Sequence, residues 1–464
     1  MYRDVYEHRG TLHHFIYCAG LLISHHNLTG VYVIEVMLFS IFLFFCAKTV
    51  SIITKNNYIC LLCVLLTGFL SSSFRSFGGG GESEEFALPF LMIPIFIITR
   101  HFIKYPEKNF LFYEMMITGI CFSMIFWMKY TITGLFLGLL ISVIISGVHT
   151  KQFKNIFIYI LQFTIGALIG SLPVLIYHAV THSLYDMVYV YFYTLIFKYS
   201  NSSVLISIPI TRKILLTSKY IIPASLCIIF ASKKQFSPTL KLFSLIMLIG
   251  ETLGISCGYS WPFAREPLFV FLPLCYSCLW SIIDTKLLTN DELSGKLKSI
   301  IDSFKSDFEK APKKTLAALN IITIVAFGIS TPFVSAVFGY RKFKLSDYPQ
   351  YKISQYILQH SETDSPIIVN YDCLDTGVYW LTNLYPPSKY YCSYNLNSDE
   401  ITSVYDEYLT TKKADYIITT AFFNVPKADV FDGYTTVAFE ALPDNMLNNG
   451  GTRYQLMKRD DYGK

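Results

Sequence analysis

The sequence is poor in charge for its length. Only 15% of its 464 residues are Asp, Glu, Lys or Arg, whereas 53% are hydrophobic, and the mean hydropathy is +0.42. A soluble domain carries about a quarter of charged residues, so the composition excludes an ordinary soluble globular protein. The net charge of +5 is small and spread over polar connections, which favours a role in membrane topology over nucleic-acid binding.

Several motifs of other protein classes are missing. We expect no cleavable signal peptide, because the apolar stretch after the charged start is short and ends in SHHNLTG without a small-residue cleavage site. The glycine run Gly78–Gly81 lacks the Lys-Ser/Thr of a phosphate-binding loop, so we expect no nucleotide. The cysteine pairs in CLLC and CYSC have no second pair at suitable spacing, which favours buried thiols over zinc sites.

Long apolar runs are what the sequence does have. They recur at a length of about 20 residues, enough for a helix to cross a hydrocarbon core of about 30 Å. Aromatic residues make up 16% of the chain, which is typical of rings at membrane interfaces. We therefore predict a polytopic α-helical membrane protein with about ten transmembrane helices. The predicted spans are 31–53, 57–75, 86–103, 110–128, 131–148, 155–179, 216–232, 239–257, 264–284 and 316–338.

The distribution of Lys and Arg predicts the orientation of these spans. Every second connection carries Lys or Arg, as in RHFIKYPEK, HTKQFKN and SKKQ, and the positive-inside rule places these connections in the cytoplasm. The N-terminus and the residues after 339 are then extracytoplasmic. The cytoplasmic stretch 285–315 mixes both charges with apolar residues at helical spacing, which favours an amphipathic helix on the membrane surface over a partner-binding site.

The C-terminal tail differs from the rest of the chain. SPIIVNYD and ADYIITTAFF predict buried strands, and YPQYKISQYILQHS and SDEITSVYDEYLTTKK predict amphipathic helices, with Ser398 as an N-cap. We expect a small extracytoplasmic α/β domain over 339–464 that serves as a lid or acceptor platform, following an outer-loop segment 1–30 and a transmembrane domain 31–338. Cys373 and Cys392 are disulfide candidates if this region faces an oxidising compartment.

Titratable residues concentrate on the predicted outer face. A charged group at the mouth of a span usually faces a cavity or pairs with another charge, and is a functional candidate. The alternative is an interfacial residue whose charged end reaches water. Carboxylates can act as general bases or hold a metal, and Arg or Lys can neutralise a phosphate, which together suit group transfer from a membrane-embedded phosphorylated donor. The candidates are Asp4, Glu7, His8, Arg9, His13, His14, Glu82, Glu84, Glu85, Lys129, Asp186, Arg265 and Glu266.

Short patterns along the chain resemble a known family. YRDVYEHRGTLHHFIYCAG is similar to the first outer loop of the GT-C polytopic glycosyltransferases of the protein-mannosyltransferase and aminoarabinose-transferase type. ESEEFALPFLMIPIFI and GICFSMIFWMKYTITGLFLG resemble later spans of that family, and LTNLYPPSKYYCSY and KKADYIITT resemble its outer domain. The order of the patterns makes the resemblance more specific than any one of them.

The resemblance implies a bacterial plasma-membrane enzyme. It would move a hexosyl or pentosyl group from a polyprenyl-phosphate donor to a cell-envelope glycan, lipid or protein on the outer face. Asp4 and Glu7 would be catalytic carboxylates, and Arg9 and Lys129 would bind the donor phosphate. A divalent metal ion is a possible cofactor under this resemblance. Three further residues would bind either that metal or the acceptor: His8, Glu84 and Glu85.

Two alternatives stay open. In the family, a first span and an acidic catalytic base precede the YRD segment, so we expect both to be absent from a chain that starts at Met1, and a catalytically inactive paralogue acting as a membrane scaffold also fits. A transporter or flippase of a lipid-linked saccharide predicts mid-span charges and an internal repeat. Glu114 and Glu251 are mid-span candidates, and we find no convincing repeat.

Overall fold

Two compact units make up the chain in the computed structural model. The helical unit comprises Arg9–Ile176 and Ile208–Ser335, and the sheet unit comprises Met1–His8, Tyr177–Ser207 and Ala336–Lys464. The predictions for Cys373, Cys392, Ser398 and the segment 285–315 fall outside the described residues, as does most of the predicted span 316–338. The structure describes residues 1–25, 27–72, 80–198, 210–233, 236–257, 263–282, 318, 321–322, 324–326, 344–371, 377–391, 399–421, 431–441 and 453–462.

The helices of the helical unit follow the predicted spans closely, because the length of each apolar run is a local property of the sequence. Helix α1 lies within the segment predicted as an outer loop; its apolar run is too short to have been counted as a span. The helices are α1 Thr11–Ile23, α2 Thr29–Thr54, α3 Asn57–Ser71, α4 Ser83–Lys104, α5 Phe112–Lys129, α6 Gly134–His149, α7 Phe153–Val180, α9 Ile210–Phe230, α10 Pro238–Cys257 and α11 Leu272–Ile282.

Five stretches of the described chain are long and apolar enough to cross a membrane. They are Thr29–Thr54, Ser83–Lys104, Phe112–Ile132, Phe153–Val180 and Pro238–Cys257. Helix α4 is the most buried of them and packs against α2, α5 and α10. Polar residues at the N-terminal end of α4 are therefore inside the protein, where an unpaired charge is expensive.

One predicted span is not a single α-helix. Residues 264–284 were expected to form one membrane helix, but the structure has a 3₁₀ helix over Phe263–Phe271 followed by α11. Pro267 lies inside the 3₁₀ helix, and Pro273 is the second residue of α11. Proline has no backbone N–H and clashes with the preceding turn, so each of these residues weakens an α-helix here, although α4 accommodates Pro89 and Pro94.

Helices α6 and α10 pack closely against each other, because glycines lie on both sides of the contact. A Cβ atom added to Gly134 would lie 2.0 Å from the carbonyl oxygen of Gly250, and one added to Gly138 would lie 2.5 Å from that of Ile246. Small residues let two helix backbones approach each other within a membrane, where packing drives helix association.

The Gly134→Ala substitution should destabilise the protein by about 1–3 kcal/mol, because its Cβ meets backbone that has no room to move. Thermal unfolding in detergent measures the loss. Gly147→Ala in the same helix is the matched control, since its Cβ would meet the Ile156 side chain, which can change its rotamer. Equal losses in the two variants would contradict the assigned contact.

The sheet unit contains a four-stranded sheet of order β1–β2–β4–β3. Strand β2 pairs parallel with β1 and antiparallel with β4, and β3 pairs antiparallel with β4. Side chains such as Ile353, Ile368, Tyr416 and Leu456 form the core between the helices and the sheet. The elements are α8 Leu184–Met187, a π-helix Val188–Lys198, α12 Pro349–His360, β1 Ile368–Asn370, α13 Val378–Thr382, α14 Asp399–Thr410, β2 Tyr416–Ala421, β3 Tyr434–Ala441 and β4 Arg453–Arg459.

The first eight residues are held in the sheet unit by a series of contacts. The N-terminal ammonium of Met1 donates to the hydroxyl of Tyr177, and the ring of Tyr2 stacks on His178. The backbone N–H of Tyr6 donates to the carbonyl of Lys389 at 2.8 Å. This charged segment is therefore an irregular, partly buried part of that unit.

Candidate functional site

The candidate site is built around the turn that precedes α4. Gly80 and Gly81 have φ angles of +91° and +80°, which L side chains rarely adopt. The hydroxyl of Tyr17 in α1 donates to the carbonyl of Gly81 at 3.2 Å, and a Cβ on Gly81 would lie 2.5 Å from that hydroxyl. The two glycines thus allow the turn to pack closely against α1 and direct the following acidic residues into the protein.

Glu82 ends this turn and pairs with a cation from the start of the unit. Its Oε2 accepts a hydrogen bond of 3.1 Å from Nη2 of Arg9. The two side chains are 26% and 35% exposed, so this pair is accessible to solvent. His13, which is buried, lies beside it with Nδ1 3.1 Å from the hydroxyl of Ser83.

Glu84 forms the second ion pair. Nζ of Lys129, at the end of α5, donates to Oε1 of Glu84 at 2.6 Å. The carboxyl group is 1% exposed, whereas the Lys129 side chain is 29% exposed. Within the described residues, Oε2 of Glu84 has no hydrogen-bond partner. The pair therefore joins a buried carboxylate to a cation that reaches the surface.

Glu85 is tied to both its own helix and α2. Its Oε2 accepts the backbone N–H of Glu82 at 2.9 Å, the N3 half of a capping box. The buried carboxyl group of Glu35 in α2 interacts electrostatically with that of Glu85, and Oε1 of Glu35 accepts the N–H of Gly81 at 3.1 Å. Glu35 and Glu85 therefore hold the two ends of the same turn.

Sequence reasoning missed Glu35. Its signal was present, since a carboxylate inside an otherwise apolar span is a functional candidate. The structure shows that Glu35 fixes the turn before α4 rather than standing alone in the membrane, and that it is buried. Four predicted residues, Arg9, Glu84, Glu85 and Lys129, lie in the helical unit with it.

The side chains of Arg9 and Lys129 are suited to binding an anion. Lys129 has three N–H donors and uses one on Glu84, and the Arg9 guanidinium has a fork geometry suited to phosphate. Within the described part of the chain, no group of three or more His, Cys, Asp or Glu side chains is arranged to hold a metal ion. We assign no chemical step here to a metal.

The predicted catalytic carboxyl groups, Asp4 and Glu7, lie in the sheet unit together with His8. Asp4 is exposed and accepts two hydrogen bonds from Arg3, at 2.9 and 3.0 Å. This hydrogen-bonded guanidinium lowers the pKa of Asp4, which makes its carboxylate a weaker base. Glu7 is buried, accepts a hydrogen bond from the hydroxyl of Tyr391, and accepts the N–H of His8 at 2.9 Å.

The mid-span carboxyl groups have structural contacts. Oε2 of Glu114 lies 2.9 Å from Nδ1 of His101 and accepts the N–H of Leu111 at 2.9 Å. Oε2 of Glu251 accepts the N–H of Leu135 at 2.7 Å, at the start of α6. Helix starts leave backbone N–H groups unpaired, so Glu251 satisfies one of them within the protein interior. One oxygen of each carboxyl group therefore has a structural contact, and the other, Oε1, has no hydrogen-bond partner among the described residues.

Comparison with known proteins identifies the class of the fold. No family model matches the chain, and no curated protein matches it by sequence. The chain does match solved structures over 98% of its length and 88% of theirs, at 10% sequence identity. The chain therefore has a GT-C-like fold, as its short motifs predicted, and is a multi-pass membrane protein.

Two of the matching structures are of ArnT from Cupriavidus metallidurans. The structure of that protein bound to undecaprenyl phosphate gives a TM-score of 0.55, and its apo structure gives 0.53. At this sequence identity the likeness concerns the fold, and the residues of the site are assigned from their own contacts.

The Lys129→Met substitution should destabilise the protein by about 3 kcal/mol, because it leaves the carboxylate of Glu84 buried without its cation. The double variant Lys129→Met/Glu84→Gln should recover most of this loss, since it removes the buried charge as well. Unfolding of the three proteins in the same detergent measures the coupling. A stable Lys129→Met protein would contradict the importance of the pair.

Proposed function

We propose that this protein is a membrane glycosyltransferase that uses a polyprenyl-phosphate sugar as donor. The acceptor would be a hydroxyl group of a cell-envelope molecule on the outer face of a bacterial plasma membrane. The observation that carries the proposal is the presence of two accessible cations, Arg9 and Lys129, each held by a glutamate that flanks the start of α4.

The fold supports the same lipid class. A protein of this fold, ArnT from Cupriavidus metallidurans, has been crystallised with undecaprenyl phosphate. Such a ligand has a long apolar tail that suits a bundle of apolar helices and an anionic head that suits Arg9 and Lys129. We therefore propose a polyprenyl phosphate as the lipid of the donor. The transferred sugar would be a hexosyl or pentosyl group, and the acceptor would be a hydroxyl group of an envelope molecule.

The proposed reaction places negative charge where the cations lie. The acceptor oxygen attacks the anomeric carbon, the bond from that carbon to the phosphate oxygen breaks, and the polyprenyl phosphate leaves with the bonding electrons. Arg9 and Lys129 stabilise the charge that develops on the departing phosphate. Held by Glu82 and Glu84, they need little reorganisation in the transition state.

A base must take the proton of the acceptor hydroxyl. Of the two carboxyl groups predicted for this role, we favour Glu7 over Asp4. The paired guanidinium of Arg3 lowers the pKa of Asp4, whereas Glu7 is buried next to Tyr391. The hydroxyl of Tyr391 and the N–H of His8 hold the carboxyl group of Glu7 in one orientation, as a general base requires.

Removing either cation should weaken the binding of undecaprenyl phosphate by about tenfold or more, because a charge-assisted hydrogen bond to phosphate is lost. The variants are Arg9→Gln and the double variant Lys129→Met/Glu84→Gln, which lacks the cation but keeps a neutral partner. Binding of radiolabelled undecaprenyl phosphate to the purified full chain in detergent gives the dissociation constants.

Arg100→Gln and Lys104→Met are the matched controls, since both cations lie near the opposite end of α4. They should leave the affinity unchanged. Transfer of label from a polyprenyl-phosphate sugar to an envelope fraction then tests turnover. If Arg9→Gln bound the lipid and transferred label as well as the parent protein, the role given to Arg9 would be wrong.

A further inference from the structure

Glu266 is a buried carboxyl group that the proposed chemistry does not use. It lies in the 3₁₀ helix Phe263–Phe271, which packs against α4 and α10. Its side chain is 0% exposed, and within the described residues neither of its carboxyl oxygens has a hydrogen-bond partner. Buried polar groups in native proteins are almost always hydrogen-bonded, so both oxygens need an explanation.

The carboxyl group of Glu266 faces the acidic end of α4. It interacts electrostatically with Glu35 and Glu84, and Glu85 interacts with it in turn. A second oxygen without a partner, Oε2 of Glu84, belongs to the same group of side chains. Unpaired acceptors from two different elements therefore converge at one place in the helical unit.

This place is next to the proposed phosphate site. Glu84 is hydrogen-bonded through its other oxygen to Nζ of Lys129, whose side chain is partly exposed. In a polyprenyl-phosphate sugar a single oxygen joins the phosphate to the sugar ring. The carboxyl group that Lys129 contacts is also the one whose second oxygen, Oε2, has no hydrogen-bond partner among the described residues.

The unpaired atoms suit hydroxyl groups. A carboxylate offers two acceptor oxygens, which matches the O–H groups of adjacent ring carbons. A metal ion needs a closer set of ligands, and no such set is gathered among the described residues.

We propose that Glu266 and Oε2 of Glu84 form a subsite that binds hydroxyl groups of the donor sugar. This inference rests on the proposed function, because it takes the donor phosphate to bind at Lys129. Glu266 then distinguishes a sugar-bearing donor from the bare lipid phosphate, whereas Arg9 and Lys129 bind both.

The test compares two ligands on the same protein. Dissociation constants are measured for undecaprenyl phosphate and for undecaprenyl phosphate carrying mannose or arabinose, on the full chain in detergent. In the parent protein at least one sugar-bearing lipid should bind more tightly than the bare lipid. The Glu266→Leu variant should lose this preference by about tenfold and keep its affinity for the bare lipid, since only sugar contacts are removed.

Glu266→Gln is the conservative variant and should lose less of the preference, because an amide still hydrogen-bonds to hydroxyl groups. It also keeps the test decisive if Glu266→Leu does not fold. Glu251→Gln is the matched control, an equally buried carboxyl group that contacts the start of α6. It should leave the preference unchanged.

The outcomes separate the two proposals. A parent protein that binds no undecaprenyl phosphate overturns the proposed function and this inference with it. A parent protein that binds the bare lipid but gains nothing from either sugar overturns the subsite alone. An unchanged sugar preference in both folded Glu266 variants also overturns the subsite. If a Glu266 variant lost the same affinity for the bare lipid as for the sugar-bearing lipid, Glu266 would have a structural role instead.

Discussion

The helical unit depends on how it compensates the carboxyl groups at the start of α4. An unpaired buried carboxylate costs several kcal/mol, so these groups need a cation or a hydrogen-bond donor close by. Glu84 takes its cation from the end of α5, and Glu82 takes one from the residues before α1. Glu85 accepts the backbone N–H of Glu82, and Glu35 of α2 accepts that of Gly81. The need to pair these carboxyl groups thereby brings α1, α2, α4 and α5 together at one end. Helices α6 and α10 are held together by a different interaction, the close contact of their glycines.

These contacts also give the site its chemical character. A cation that is already hydrogen-bonded to a carboxylate is held in place for an incoming anion. Arg9 and Lys129 are both in this situation and both reach the surface. Glu114 and Glu251, the mid-span charges of the transporter hypothesis, each use one carboxyl oxygen on a contact within the protein, with His101 and with the start of α6. The inactive-scaffold hypothesis and the enzyme hypothesis predict the same fold. They differ in whether the protein transfers a sugar.

The sequence predicted the secondary structure well where the signal is local. Apolar run length located the helices, and continuous apolar stretches located β1 and β2. It missed β3 and β4, which pair with each other and, through β4, with β2. Their side chains are mixed in polarity, and pairing with a distant strand makes them strands. The break before α11 was also missed, although Pro267 and Pro273 were visible, because hydropathy alone does not register a lost backbone hydrogen bond.

The sequence by itself determined that the chain crosses a membrane many times, that an α/β tail follows, and that titratable residues collect in short segments near span ends. These properties depend on residues close together along the chain. Tertiary structure decided which of those residues meet. The predicted site divides between the two compact units, with Asp4, Glu7 and His8 in one and Arg9, Glu84, Glu85 and Lys129 in the other. Glu35 and Glu266 join the second group only through packing between helices. No spacing rule brings Glu35 to Glu85, because a contact between distant residues depends on how whole helices pack.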